Sequence, residues 1–99
     1  MLYLRICFDA DGIGDLRNKL RQTHRAYLKP FAEGKESVRV VQAGPMCISD
    51  SDDTNLGSFL IVEAPSFADL QRFHDNDPFT AGGVFGEVRL LRWDRHIGN

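Results

Sequence analysis

Two ionisable residues of this 99-residue chain have the types and surroundings that proton transfer requires: His24 in RQTHRAYL and Asp77 in HDNDPFTAGG. An imidazole takes and gives protons near neutral pH, and a carboxylate bonded to one ring nitrogen fixes the orientation of the ring. The two residues are far apart in the sequence, so a His-Asp dyad is a hypothesis that depends on the fold.

Each of the two residues also has a purely structural interpretation. At roughly 100° per residue, His24 lies about 50° from the centre of the apolar stripe of its predicted helix, so it is either a boundary histidine bonded to backbone or a half-buried general acid/base. Asp77 precedes Pro78, a pattern typical of a helix cap, and the same carboxylate can also orient a histidine. Arg17 and Arg21 share the helix edge of His24, where they either bind an anionic substrate or form a solvated surface.

The remaining polar clusters indicate no competing chemistry. His74 is expected in the last turn of the second helix, where a cation suits the dipole, and His96 lies in a polar tail. The acidic segment ISDSDDTN lacks the central Gly and closing Glu of a calcium loop and is interpreted as a solvated hairpin connection. No metal site, nucleotide-binding motif or activated nucleophile is predicted. Cys7 and Cys47 have no pairing or zinc-ligand spacing, so both are expected to be free thiols.

Hydrophobic periodicity predicts the elements that must position the dyad. Residues 2–8 have the alternating pattern of a strand. Its core side is predicted to carry Leu2, Leu4, Ile6 and Phe8, and its opposite side Tyr3, Arg5 and Cys7. A helix of about four turns follows on the spacing of Leu16, Leu20, Thr23, Tyr27 and Phe31. Pro30 is expected to kink or end this helix, and Gly34 to stop it.

The second half of the chain repeats the strand and helix pattern. Residues 37–44 predict a strand ended by Pro45, and the apolar run within residues 57–64 predicts a central strand. Ser66 and Asp69 resemble a capping box for a shorter helix, and residues 84–93 supply the last strand. The order strand, helix, strand, strand, helix, strand predicts an α+β, ferredoxin-like subunit with two helices on one face of a four-stranded antiparallel sheet.

Composition limits the class of protein. Ninety-nine residues with 42% hydrophobic and 26% charged residues predict one domain, residues 1–99. The net charge is −2 and no basic cluster appears, which argues against nucleic-acid binding. The apolar start is too short and too interrupted for a signal peptide or a membrane span, so a cytoplasmic location and no membrane association are expected.

The sheet face away from the helices is predicted to be rich in large apolar side chains. It is expected to carry Tyr3, Cys7, Val41, Phe59, Ile61, Phe85, Leu91 and Trp93, mixed with Arg5, Arg39, Glu63, Glu87 and Arg89. Because a large exposed apolar face usually marks a partner surface, two such faces are expected to stack in a symmetric homodimer.

The chain resembles the YciI (YCII-domain) family through RQTHRAYL, QAGP, GSFLIVEA, NDPF and GGVFGEVRLLRW, which occur in the same order over nearly its whole length. The resemblance implies a ferredoxin-like subunit of a dimeric α+β barrel with an active-site dyad, here His24 and Asp77. The family-typical positions also include Arg21, Gly44, Pro45, Gly57, Pro78, Phe79 and Trp93. Gln22 and Arg92 depart from the common pattern, which affects the shape of the pocket rather than the dyad.

Two classes of function fit these residues. As an enzyme, the chain would use His24 and Asp77 for cofactor-independent acid/base chemistry, with Arg21 and Arg17 balancing the charge of a small anionic or phenolic substrate. Elimination is favoured because related members of the family remove chloride from chlorinated aromatics; isomerisation also fits, and cofactor-free oxygenation ranks lower. The alternative is a non-catalytic dimeric module that binds a small ligand or serves as an accessory subunit.

Overall fold

A computed structural model describes residues 1–98 and shows one four-stranded antiparallel sheet with its helices on one face. The elements are β1 (Leu2–Asp9), α1 (Gly14–Ala32), β2 (Arg39–Ser49), β3 (Asp52–Glu63), α2 (Phe67–Asp75), α3 (Pro78–Ala81) and β4 (Phe85–Trp93). The strand order is β2-β3-β1-β4. The predicted ferredoxin-like arrangement is therefore confirmed. Within these residues no helix is both long enough and apolar enough to cross a membrane.

The face assignment predicted for β1 is wrong. Tyr3, Arg5 and Cys7 are the buried residues of the strand and face the helices, whereas the leucines are only partly covered and Phe8 is exposed. Both sets contain large apolar side chains, so alternation shows that two faces exist without showing which one the helices cover. Arg5 lies on the buried face because a carboxylate pairs with it there.

The open face carries part of the predicted apolar set. Strand pairing places Phe59, Ile61, Leu91 and Trp93 on the same side as Leu4. Phe85, by contrast, was wrongly predicted on this face, because its ring contacts Phe79 and His74 under the helices. The apolar residues of the open face are Leu2, Leu4, Ile6, Phe8, Phe59, Ile61, Leu91 and Trp93, and the same pairing places the charged residues Glu63 and Arg89 among them.

The hairpin between β2 and β3 is longer than predicted. Pro45 does not end β2, which continues to Ser49, and β3 already begins at Asp52. β2 is an edge strand, where a residue without a backbone donor is tolerated. Within β3, a Cβ added at Gly57 would lie 1.8 Å from the carbonyl oxygen of Cys7, so glycine permits the close approach of β3 to β1.

The long helix α1 presents polar residues to the interior. Arg17 and His24 are its buried residues, whereas Thr23 of the predicted stripe is exposed. Pro30 lies in the last turn, so the helix runs two residues beyond it, and Gly34 follows with φ 73°. This positive φ suits glycine at a helix end.

The core between helices and sheet is aromatic and aliphatic. Its buried members are Tyr3, Val38, Val40, Leu60, Val62, Ala64, Leu70 and Phe73, with Tyr27, Leu28, Phe31 and Leu90 packed against them. This core holds α1 and α2 against the sheet, and thereby fixes the side chains that α1 directs toward β1.

Candidate active site

Asp77 begins the short helix α3 and is fully buried. Its extended backbone and the following Pro78 start a helical turn, and the N–H of Phe79 donates to Asp77 Oδ1 at 2.9 Å. The capping role suggested by the Asp-Pro step is therefore present. The cap engages one oxygen from one side and leaves the carboxylate able to accept further bonds.

His24 supplies a second donor to the same carboxylate. Its Nδ1 lies 2.7 Å from Asp77 Oδ1, and its ring stacks on Phe79 with centroids 3.8 Å apart and planes 6° apart. An ionised carboxylate only accepts hydrogen bonds, so Nδ1 carries the proton and Nε2 is the basic nitrogen of the neutral ring. The structure thus brings together the two residues that the sequence proposed as a dyad.

Arg5 is a third member of this cluster. Its Nη2 donates to Asp77 Oδ2 at 2.8 Å, and neither side chain is exposed to solvent. The guanidinium carbon lies 5.4 Å from the ring centroids of both Phe73 and Phe85. Its other nitrogens, Nε and Nη1, have no hydrogen-bond partner among residues 1–98. The burial of Arg5 could not be predicted from the sequence, because a charged residue within a strand usually faces solvent.

The carboxylate of Asp77 is ionised in this setting. Burial alone would raise its pKa, but the hydrogen bond from His24, the charge of Arg5 and the N–H of Phe79 together lower the pKa below its ordinary value. A buried anion with donors on both oxygens holds the His24 ring in one orientation.

A cavity of about 260 Å³ opens beside His24 and Phe79. Its wall on α1 carries Arg17, Arg21 and Arg25, and its opposite wall is formed by the β2–β3 hairpin. Asp77 does not line the cavity but lies behind the histidine ring. The volume suits a molecule of about one aromatic ring, since an engineered cavity of about 150 Å³ accepts benzene.

The three arginines of the cavity differ in their charge balance. Arg17 donates to both oxygens of Asp9, at 2.8 and 2.7 Å, so its charge is largely matched. Within residues 1–98, Arg21 and Arg25 make no ion pair with a carboxylate. Arg25 was not singled out in the sequence, although it lies one helical turn from Arg21 and therefore faces the same side.

The hairpin wall contributes polar groups that the sequence did not reveal. Ser58 and Asn55 line the cavity, and Ser58 Oγ lies 3.4 Å from Arg17 Nη2. They lie three positions apart in β3, where regular alternation would place them on opposite faces, and the pairing with β2 is irregular between them, so the sequence pattern did not group them.

His74 is not the helix-end cation that its position suggested. It is buried and stacks near Phe85, and burial, followed by the nearby charge of Arg5, lowers its pKa. Burial also raises the pKa of the Cys7 thiol to about 11. Both cysteines are free, as predicted. The His74 ring and the Cys7 thiol, which both lie near Asp77, are therefore neutral at neutral pH.

The arrangement therefore combines a basic ring nitrogen, a buried carboxylate that holds the ring, and two unmatched guanidiniums beside a small cavity. Such a set can accept a proton from a weakly acidic ligand and stabilise the anion that results.

Comparisons with known proteins agree with this architecture. The family model for the YCII-related domain matches residues 1–94. Proteins called YciI from Escherichia coli O6:H1 and Shigella flexneri are 32% identical over 94 residues, which is 91% of this chain and 93% of theirs.

Two solved structures are similar to this chain in fold. A 5-chloro-2-hydroxyhydroquinone dehydrochlorinase from Burkholderia phenoliruptrix, in complex with 2,5-dihydroxybenzoquinone, is 34% identical with a TM-score of 0.82, covering 95% of this chain and 94% of that one. A protein of Arabidopsis thaliana shares the fold at 9% identity and a TM-score of 0.55, covering 99% of this chain and 97% of that one.

Proposed function

Since the chain belongs to the YCII-related domain family, we propose that it is a cofactor-independent acid/base enzyme of the lyase or isomerase type. The observation that carries the proposal is the 2.7 Å contact between His24 Nδ1 and Asp77 Oδ1 beside a cavity lined by unmatched arginines. The substrate class is a small anionic or phenolic molecule.

In this proposal His24 Nε2 takes a proton from the substrate and returns it, or passes it to solvent. Asp77 keeps Nδ1 protonated and stabilises the imidazolium that forms. Arg21 is the first candidate for charge balance because it lines the cavity and has no carboxylate partner among residues 1–98, and Arg25 is the second. Arg17 is a weaker candidate than the sequence suggested, since Asp9 already accepts its two hydrogen bonds.

Elimination of HCl from a chlorinated phenol is the reaction we favour. The substrate must carry a second hydroxyl, as a chlorinated hydroquinone does. Acid/base catalysis first moves one hydroxyl proton to the ring carbon that bears chlorine, which gives the keto tautomer; a base then removes the second hydroxyl proton, the electron pair moves through the ring, and chloride leaves with the C–Cl bonding electrons, so the products are HCl and a quinone. The dehydrochlorinase with a TM-score of 0.82 supports this choice. A one-ring phenol also matches the cavity volume.

The alternative is a non-catalytic module that binds a similar ligand. It uses the same cavity and the same arginines, but His24 would serve only as a hydrogen-bond partner. The two proposals differ in one measurable quantity, which is turnover.

The test is release of chloride and protons from a panel of chlorinated phenols and hydroquinones, with thermal stabilisation measured in parallel. We expect His24→Ala to reduce kcat by about 100-fold or more, in line with the usual contribution of a general base. His96→Ala is the control, because His96 is exposed and, in the part of the chain that the structure describes, is bonded only to Asp94. Ligands that stabilise the protein without any release of chloride or protons would favour the binding module.

We also propose that the protein is a cytoplasmic homodimer joined through the open sheet face. Leu91 is 41% exposed and Phe8 38% exposed on this face, which would leave apolar area in water in a monomer. Light scattering at micromolar concentration should give a dimer for the wild type and a monomer for Leu91→Lys. Ala68→Lys, on the exposed side of α2, is the charge-matched control and should remain dimeric; a monomeric wild type would refute the proposal.

A further inference from the structure

We propose that Arg5 is a positioning residue of the site, which holds Asp77 in place and limits how strongly the His24 ring binds its proton. This inference rests on the proposed acid/base function for its catalytic consequence, but the coupling between Arg5 and His24 is measurable without turnover.

The first argument is geometric. Asp77 Oδ2 accepts from Arg5 and Oδ1 accepts from His24 and from the backbone of Phe79. The carboxylate is therefore held from two opposite sides by side chains, and rotation about its terminal bond would break both contacts. Without Arg5, only the donors on Oδ1 would fix it.

The second argument concerns why the guanidinium is there. Arg5 is completely buried, and two of its nitrogens have no partner among the described residues. Burial of a partly satisfied cation is costly, and Phe73 and Phe85 offset only part of that cost with their ring faces. Within residues 1–98 its single ion pair is with Asp77, so the interaction that offsets the burial of its charge is the one that reaches His24.

The third argument is electrostatic. A carboxylate next to an imidazole favours the protonated ring, whereas a nearby cation disfavours it. Arg5 therefore reduces the effect of Asp77 on His24.

Other groups around His24 must be included in this balance. Its own helix contributes Arg17, Arg21 and Arg25, of which Arg17 is matched by Asp9. Tyr27 lies on the same helix. The groups from the other elements are Asp77, Arg5, Cys7 and His74, of which Cys7 and His74 lie near Arg5 and Asp77. Burial raises the pKa of Tyr27 to about 12 and that of Cys7 to about 11, and lowers that of His74. These three are neutral near pH 7, so Arg5 and Asp77 dominate the interior side of the ring.

The experiment is an NMR titration of the His24 ring in the wild type, Arg5→Met, Arg5→Gln and Arg5→Lys. Both neutral variants should move the titration midpoint up by about one pH unit, a typical size for the effect of one nearby charge. Arg5→Lys should restore more than half of the difference, because it returns a cation to the same strand position. Arg72→Met, which removes an exposed arginine of α2, is the matched control and should titrate like the wild type.

Arg5→Gln covers the case in which Arg5→Met does not fold, because its amide can still donate to Asp77. A folded neutral variant that titrates like the wild type would overturn the proposal and leave Arg5 with a structural role only. If the chain proves to have turnover, the acid limb of its kcat profile should move by the same amount. If it has none, the acid/base function fails while the titration still decides the role of Arg5.

Discussion

Asp77→Asn is the most direct test of the buried contacts that Asp77 makes with Arg5 and His24. The amide keeps the size of the side chain and caps a helix about as well as the carboxylate, so loss of the cap contributes almost nothing. The loss of charge is different, because Arg5 is fully buried and its ion pair is with Asp77. Removing one partner of a buried ion pair typically costs about 3 to 5 kcal/mol in the free energy of unfolding.

This cost changes how the substitution must be interpreted. Judged from the sequence, Asp77→Asn would be silent unless Asp77 had a catalytic role. The structure predicts destabilisation in either case, because the amide cannot neutralise Arg5. Turnover must therefore be normalised to the folded fraction before any loss is assigned to the dyad. In folded protein we expect kcat to fall by about 100-fold or more, since the amide neither fixes the ring tautomer nor stabilises its cation.

Urea unfolding at pH 7 of the wild type, Asp77→Asn, Arg5→Met and the double variant provides the assay. The two single variants should each be strongly destabilised, and the double variant should lose less than the sum of their losses, because no buried charge remains unpaired. A loss below about 1 kcal/mol in Asp77→Asn, or strictly additive losses, would refute the view that this pair is tightly coupled in the interior.

Three further outcomes follow from the structure. Because the pKa of His74 is lowered in the folded protein, the unfolded chain binds the proton more readily. The free energy of unfolding should therefore decline as the pH falls below about 6.5. In denaturant titrations, the free energy of unfolding of His74→Gln should depend less on pH than that of the wild type. Gly57→Ala should lower the free energy of unfolding by about 1 to 3 kcal/mol or more, because its Cβ would overlap the Cys7 carbonyl; an unchanged melting temperature would contradict this. A thiol reagent should modify exposed Cys47 in the native protein and buried Cys7 only after denaturation, which a native count of two reactive thiols would disprove.

The element order was predictable because breakers and periodicity both mark it. Gly34 ends α1 with a positive φ, and Ser66 caps α2 by accepting from the N–H of Asp69. Each of these effects depends on a few neighbouring residues, so it can be predicted from the local sequence. The exceptions have local reasons as well: Pro45 lies in an edge strand, where the absence of a donor does not end the pairing.

The side of the sheet that the helices cover was not predictable from β1. Both faces of the strand carry apolar side chains, and the charge of Arg5 suggested that its side of the strand faces solvent. That inference was wrong because Asp77, the N-cap of α3 in the second half of the chain, pairs with Arg5. A buried arginine can be recognised from sequence only together with its counter-ion, and nothing local connects Arg5 with Asp77.

The pairing of His24 with Asp77 was proposed from the types of the two residues and from family resemblance rather than from spacing. The sequence analysis did not predict α3 as a separate helix. This helix turns Asp77 toward α1 and places Phe79 against the imidazole ring. Capping and ring orientation are therefore not competing roles. The same oxygen of Asp77 accepts from the backbone of α3 and from the ring on α1.

This sharing has a consequence for how the site can vary. Asp77 meets Arg5, His24 and the backbone of Phe79 entirely within the interior, so its geometry is complete before any ligand enters. Apart from His24 and Phe79, the residues that line the cavity lie on the outer side of α1 and on the β2–β3 hairpin. Substitutions at Arg21, Arg25 or Asn55 can change the ligand that fits without disturbing the interior cluster. Changes to Arg5 or Asp77 instead alter the protonation of the ring and the stability of the fold together, so the chemistry of the site is tied to the core while its specificity is not.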